Sequence, residues 1–302
     1  MDPRRNPYAP GAGTPPPELA GRDALLAAVH VAIERARIGR PAKSAMLVGL
    51  RGVGKTVLLD RMRDAAEAAG IHTLRMEAPE GRSLPAILAP QLRQALLRLS
   101  RSEQAQALGR RALRALAGFA KSLKVKYADI EVGIDFDPEP GLADNGDLEG
   151  DLAVLLEQVG LAAQSAKTAV VMFIDELQYV KEPQFAALIT ALHRCAQAKL
   201  PVTVIGAGLP QLLARAGDAK SYSERLFDYP MVGPLSREDA QLAITRPAQA
   251  QGVMFLPEAI DEIYKDTQGY PYFLQMWSKY SWDVAKAKYY QVYRKVTNRA
   301  PR

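Results

Sequence analysis

Residues 49 to 56 read Gly-Leu-Arg-Gly-Val-Gly-Lys-Thr, and no other stretch narrows the possible folds as much. Glycine at the first, fourth and sixth places, closed by Lys-Thr, describes a turn whose successive backbone N–H groups point inward around an anion. Gly49, Gly52 and Gly54 supply backbone that tolerates the positive φ values of such a nest, with Val53 inside the loop and Val57 directly after it. The flanks agree. Residues 44 to 48 are a short apolar run, and the segment that follows places Leu58, Met62, Ala65 and Ala66 at helical spacing before Gly70. Strand, loop, helix is the context the pattern needs. The loop is therefore expected to cradle nucleotide phosphates, with Lys55 reaching the β- and γ-phosphates and the Thr56 hydroxyl ligating Mg²⁺.

The rest of the chain extends that unit. Residues 1–17 are rich in Pro and Gly and read as an extended arm, followed by a helix opened by Gly21-Arg-Asp23. Strands are expected at 72–77, 169–174 and 202–205, and helices at 84–100, 103–122, 148–165 and 185–198. Residues 123–136 alternate apolar and polar and read as an inserted β-hairpin. Such alternation predicts an α/β domain over 18–233, a parallel sheet covered by helices on both faces. A small all-helical lid is expected over 234–290, with helices near 236–250, 257–267 and 272–290, and a basic tail over 291–302.

With 302 residues and 48% hydrophobic content the chain can bury a large core. The single cysteine, Cys195, excludes a disulfide framework. The N-terminus has no apolar signal-peptide region, and the longest apolar stretch is far too short to span a bilayer, so a cytoplasmic, membrane-free protein is expected. His30, His72 and His193 lie far apart and suggest no metal site.

The net charge of +6 is unevenly spread: residues 93–126 carry nine bases and one acid, 127–151 carry nine acids and no base, and 286–302 carry six bases and no acid. Two readings fit the arginines at 110, 111 and 114: a nucleic-acid face, or docking on the acidic segment. The aromatic and basic end of the chain suits stacking on nucleic acid or an amphipathic helix end.

A second motif, Val170-Val-Met-Phe-Ile-Asp175-Glu176, is an apolar strand ending in two carboxylates about 120 residues after the loop. Asp175 is expected to order Mg²⁺ and Glu176 to act as general base on the attacking water. With these in place the chain resembles an AAA+ ATPase of the prokaryotic group that includes origin-recognition and STAND-type signalling ATPases. The resemblance covers residues from about 18 to 285. It rests on Gly21-Arg-Asp23, the phosphate loop, Ile174-Asp-Glu-Leu-Gln178, Val204-Ile-Gly-Ala-Gly208 and Gly269-Tyr-Pro271. It implies ATP held between the α/β core and the lid, with Tyr8, Gly21, Arg22 and Pro271 near the base or ribose. It further implies that Arg225 stands near the γ-phosphate, in cis or from a neighbouring subunit of a nucleotide-dependent homo-oligomer.

One departure stands out. The strand at 202–205 runs into Gly206-Ala-Gly208, where many AAA+ proteins carry a polar side chain that positions the attacking water, and no arginine flanks Gly269-Tyr-Pro271. Both gaps predict slow hydrolysis of ATP to ADP, a switch more than a motor. The alternative is a weakly hydrolysing regulatory module that binds DNA or a protein partner under ATP control. Such relatives continue into a winged-helix module, which these residues do not include.

Overall fold

The computed structural model describes residues 2–297 except 12, 41, 79, 125, 128, 131–135 and 222. Internal contacts divide the chain into two compact units. One gathers residues 1–24, 50–57 and 232–302, and the other holds 25–49 and 58–231. This differs from a simple cut near residue 233, because the arm and the phosphate loop are counted with the C-terminal helices.

The second unit is built on a five-stranded parallel sheet of β1 (Ser44–Val48), β2 (His72–Glu77), β3 (Val170–Asp175), β4 (Val202–Gly208) and β5 (Phe227–Asp228), in the order β2-β3-β4-β1-β5. Every residue of β1, β3 and β4 is buried. Strands with apolar side chains on both faces need cover on both, which explains their continuous rather than alternating hydrophobicity. Helices α1 (Asp23–Arg37), α2 (Lys55–Ala68), α3 (Leu84–Leu99), α4 (Gln106–Leu123), α5 (Leu148–Ser165) and α6 (Glu182–Gln197) follow in chain order. Of these, α3 packs on α4, α4 on α5 and α5 on α6. One core cluster joins Leu92, Phe119, Leu155 and Leu188 of these helices to Met172, Ile174 and Val204 of the sheet.

Local chemistry sets the ends of these helices. Ser83 caps α3, and its N–H and Oγ donate to the Asp129 carboxylate at 2.8 and 2.9 Å. Desolvation alone would push that carboxyl up, but the two Ser83 bonds, with its own backbone N–H and the Arg82 charge, outweigh it and hold it below its usual range. Asp147 caps α5, accepting the Gly150 N–H at 2.8 Å. Asp151, fully buried, accepts the backbone N–H groups of Asn145 at 3.1 Å and Gly146 at 2.8 Å, so its charge is met by a backbone nest.

The acidic segment thus has structural work inside the fold. Arg111 and Arg114 of α4 both reach Glu139, at 3.2 and 3.7 Å. For these two arginines, docking on the acidic segment is the observed arrangement. The expected hairpin lies partly outside the described residues. In the described part Leu123 ends α4, and turn bonds run from Tyr127 N–H to Leu123 O and from Ile130 N–H to Tyr127 O, with no strand.

Three elements went unforeseen: α7 (Leu212–Ala219), α8 (Ser223–Leu226) and the short β5. β4 also runs to Gly208, three residues further than its β-branched residues indicate.

The first unit contains α9 (Arg237–Gln249), α10 (Pro257–Thr267) and α11 (Pro271–Thr297), around Leu235, Ala240, Ile244, Ile263 and Leu274. The arm belongs to this packing. Asn6 donates to the Asp283 carboxylate at 3.2 Å, Trp282 donates to the Asp2 carbonyl at 3.2 Å, and Tyr8 is 2% exposed among Ala248 and Trp282. Among the described residues no helix is long and apolar enough to cross a membrane, and no cluster of three metal-ligating side chains occurs.

Two outcomes follow from burial. Asp151→Ala empties a fully buried site and leaves two half-buried N–H groups without their acceptor, and is expected to lower unfolding free energy by about 2 kcal/mol in urea titration. Burial pushes the Cys195 thiol up to about 12, so it is expected to resist a disulfide reagent in the native protein at pH 8 and to react once the chain is unfolded.

Candidate functional site

Two clusters carry the chemistry-bearing residues, one in each unit. The first is the phosphate loop. Gly52 and Gly54 adopt φ of +81° and +92°, the left-handed backbone expected of an anion nest. Gly49 is used differently: it is not among the positive-φ glycines, and its N–H donates to the Gly208 carbonyl at 3.2 Å, continuing the β1–β4 ladder by one step. Val53 is buried. Lys55, the first residue of α2, is 8% exposed, and its Nζ donates to the Leu50 carbonyl at 2.9 Å, so the ammonium curls back over the loop. Thr56 and Val57 follow in the first turn of α2, both half-buried.

The Gly-Tyr-Pro turn lies against this loop. Gly269 has φ +75°, and a Cβ there would stand 2.3 Å from the Leu235 carbonyl oxygen, so only glycine fits. Pro271 opens α11, and the Tyr272 N–H donates to the Gly52 carbonyl at 3.3 Å. Gly21, at φ +69°, is pressed against the Asp239 side chain, where a Cβ would collide. Arg22 donates to the Gly233 carbonyl; burial draws its guanidinium below the usual value, partly offset by Asp239. The Tyr8 hydroxyl donates to the Ile244 carbonyl, its ring meets Phe255 edge-on at 6.2 Å, and burial raises its pKa. Gly21, Arg22, Pro271 and the loop thus share one unit, while the polar atom of Tyr8 is engaged with the α9 backbone.

The second cluster sits at the C-terminal edge of β3 in the other unit. Asp175 is 3% exposed; its Oδ1 accepts the Glu176 N–H at 2.9 Å, and its Oδ2 faces Arg75 of β2 at 3.5 Å. Arg75 is itself held by Asp60 at 2.8 Å. Glu176 has φ 54° and ψ 38°, a left-handed conformation costing a non-glycine residue on the order of 1–2 kcal/mol. That bend turns the chain off the strand into a 3₁₀ turn, Leu177–Tyr179, and leaves the Glu176 side chain half-exposed beside the buried Asp175.

Gln178 carries a contact that the motif pattern did not reveal. It is 7% exposed; its side-chain amide N–H donates to Glu176 Oε2, and its Oε1 accepts the Leu209 N–H at 3.1 Å. The only sequence signal was its place in Ile174-Asp-Glu-Leu-Gln178, three residues after the strand-end aspartate.

Arg225 does not join this cluster. It lines a cavity of about 260 Å³ with Arg40, Lys43, Ser44, Lys199 and Thr203, at the N-terminal ends of β1 and β4. The register pairs Ser44 with Phe227, whereas Asp175 lies at the opposite edge. Three strand residues separate those levels, ~10 Å at 3.3 Å per residue.

Comparison with known proteins adds a family and a fold. A family model described as "AAA ATPase domain" matches residues 18–205. None of the curated proteins matches the sequence. Among solved structures, a Walker-type ATPase of Pyrococcus abyssi superposes with a TM-score of 0.54 at 14% identity, covering 95% of this chain and 79% of that one. Cdc6p from Pyrobaculum aerophilum gives 0.53 at 12% identity, covering 92% of this chain and 63% of that one. The Aeropyrum pernix ORC1 protein, solved in complex with DNA, gives 0.50 at 14% identity, covering 90% and 62%. This chain therefore spans less than two thirds of the latter two, and at these identities the likeness concerns the fold alone.

Proposed function

This chain belongs to the AAA ATPase domain family, and from that premise we propose that it binds Mg-ATP and hydrolyses it slowly, as a conformational switch. The observation that carries the reading is the phosphate loop: two glycines in left-handed backbone, followed by Lys55 and Thr56 at the start of a helix. A helix N-terminus adds its own partial positive charge to such a nest. Lys55 would exchange its bond to the Leu50 carbonyl for one to the β- and γ-phosphates.

The Thr56 hydroxyl and the Asp175 carboxylate are hard oxygen donors, the chemistry that Mg²⁺ takes together with water. When bound, that ion neutralises charge building on the phosphoryl oxygens. Glu176 is the general base: a half-exposed carboxylate, set off the strand by its left-handed backbone and next to Asp175, can accept a proton from water. Slow turnover is supported by Gly206-Ala-Gly208, which gives β4 no polar side chain with which to hold that water.

Lys55→Ala is expected to weaken ATP binding by about 100-fold in a fluorescence titration, since it removes the charge paired with the phosphates. Glu176→Gln should bind ATP with unchanged affinity while turnover falls by about 100-fold or more. Full-strength binding by the first variant sinks the nucleotide assignment, and unchanged turnover in the second reassigns the base.

A second reading concerns Arg225. Its place at the N-terminal edge of the sheet, away from Asp175 and Glu176, supports action on the γ-phosphate of a neighbouring copy. Mixing Arg225→Ala with Glu176→Gln chains should then recover part of the activity that each lacks alone. Absence of any recovery in the mixture removes this reading.

A further inference from the structure

We infer that Gln178 is the positioning residue for the Glu176 carboxylate and ties it to the turn between β4 and α7. This rests on the reading of Glu176 as general base. Both ends of the Gln178 amide are committed, and the partners decide which end is which. The Leu209 N–H can only donate, so it needs the oxygen; the Glu176 carboxylate can only accept, so it needs the nitrogen. The amide is therefore locked in one orientation while 7% exposed, where a lost partner is costly.

The surroundings are shaped to admit it. A Cβ on Gly208 would stand 3.0 Å from Gln178 Oε1 and 2.9 Å from Leu212 Cδ2, so a side chain on the last residue of β4 would crowd the amide where it meets Leu209. From the far side Arg215 of α7 donates to the backbone carbonyls of Gln178 and Val180, fastening the 3₁₀ turn that carries the amide.

A side chain crossing over from the β3 turn thus brings a polar group to the end of β4, and spends it on the Glu176 carboxylate and the Leu209 N–H rather than on water. Binding Oε2 fixes the Glu176 carboxylate rotamer and leaves Oε1 to meet water. Because the same amide holds Leu209, any displacement of the β4–α7 turn moves the base with it.

The test is ATP hydrolysis by the full chain, measured as kcat and KM, for Gln178→Met, Gln178→Glu and Gln178→Met combined with Glu176→Gln. The methionine keeps the volume and loses both bonds; the glutamate sets a like charge against Glu176. In each single variant, kcat per nucleotide-binding site should fall about tenfold with KM unchanged. In a Glu176→Gln background Gln178→Met should cost no further turnover, because its effect runs through that carboxylate.

A merely structural role would lower thermal stability and cut turnover alike in both backgrounds. A kcat equal to that of the parent protein, or a loss of the same size in the Glu176→Gln background, overturns the inference. If either variant fails to fold, Gly208→Ala, which crowds the amide without altering it, must lower kcat in the same background-dependent way, and an equal loss in both backgrounds overturns the inference. Glu176→Gln run in parallel separates the two claims. Retained turnover there removes the general base and this inference with it, whereas an inactive Glu176→Gln beside a fully active Gln178→Met removes this inference alone.

Discussion

The parallel ladder through β3, β4 and β1 is the constraint on which the second unit depends. Its register sets Met46, Gly206 and Ile174 side by side, so these strands reach their C-terminal edge within a residue or two of one another. Strands buried on both faces cannot slip by one position without turning every side chain into the wrong layer. The edge is consequently rigid, and the site elements hang from it. Gly49 extends the ladder by bonding to Gly208, Asp175 closes β3, and Glu176 leaves it through a left-handed bend. Strain at Glu176 is tolerable because Asp175 on one side and Gln178 on the other hold it by hydrogen bonds.

Glycine at β4 serves the same edge. A Cβ on Gly206 would overlap Leu177 Cδ1 at 2.2 Å and Met46 Sδ at 2.6 Å. The Gly-Ala-Gly run is therefore the space into which the turn after β3 packs. What reads in sequence as a missing catalytic side chain is, in the folded protein, room made for Leu177 and Gln178.

The segregated charge has a similarly internal explanation. Asp129 and Asp147 sit at helix N-termini, Asp151 lies in a backbone nest, and Glu139 receives two arginines. Acids in such places satisfy N–H groups that helix ends leave open, so an acidic run between helices is a structural resource before it is a binding surface. The pattern left the choice open because a list of charges holds no distances. The unforeseen α7, α8 and β5 escaped for a related reason. Residues 209–228 are a mixture of short apolar runs, glycine and charge, with too little periodicity to mark an element. Two-residue β5 exists only because β1 offers an open edge.

The sequence by itself determined the phosphate loop, the burial of β1, β3 and β4, the Asp-Glu strand end and the three C-terminal helices. Each is a local pattern, written by glycine placement or by hydrophobic period, and such patterns survive without knowledge of neighbours. Only the tertiary structure decided what touches what. It put Gln178 between Glu176 and Leu209, Tyr8 into an apolar cluster with its hydroxyl on Ile244, and Arg225 at the edge of the sheet away from the carboxylates. Those placements join residues far apart in the chain or on opposite ends of strands, and they follow from strand order and register. Strand order and register are properties of the packed sheet, and no single segment encodes them.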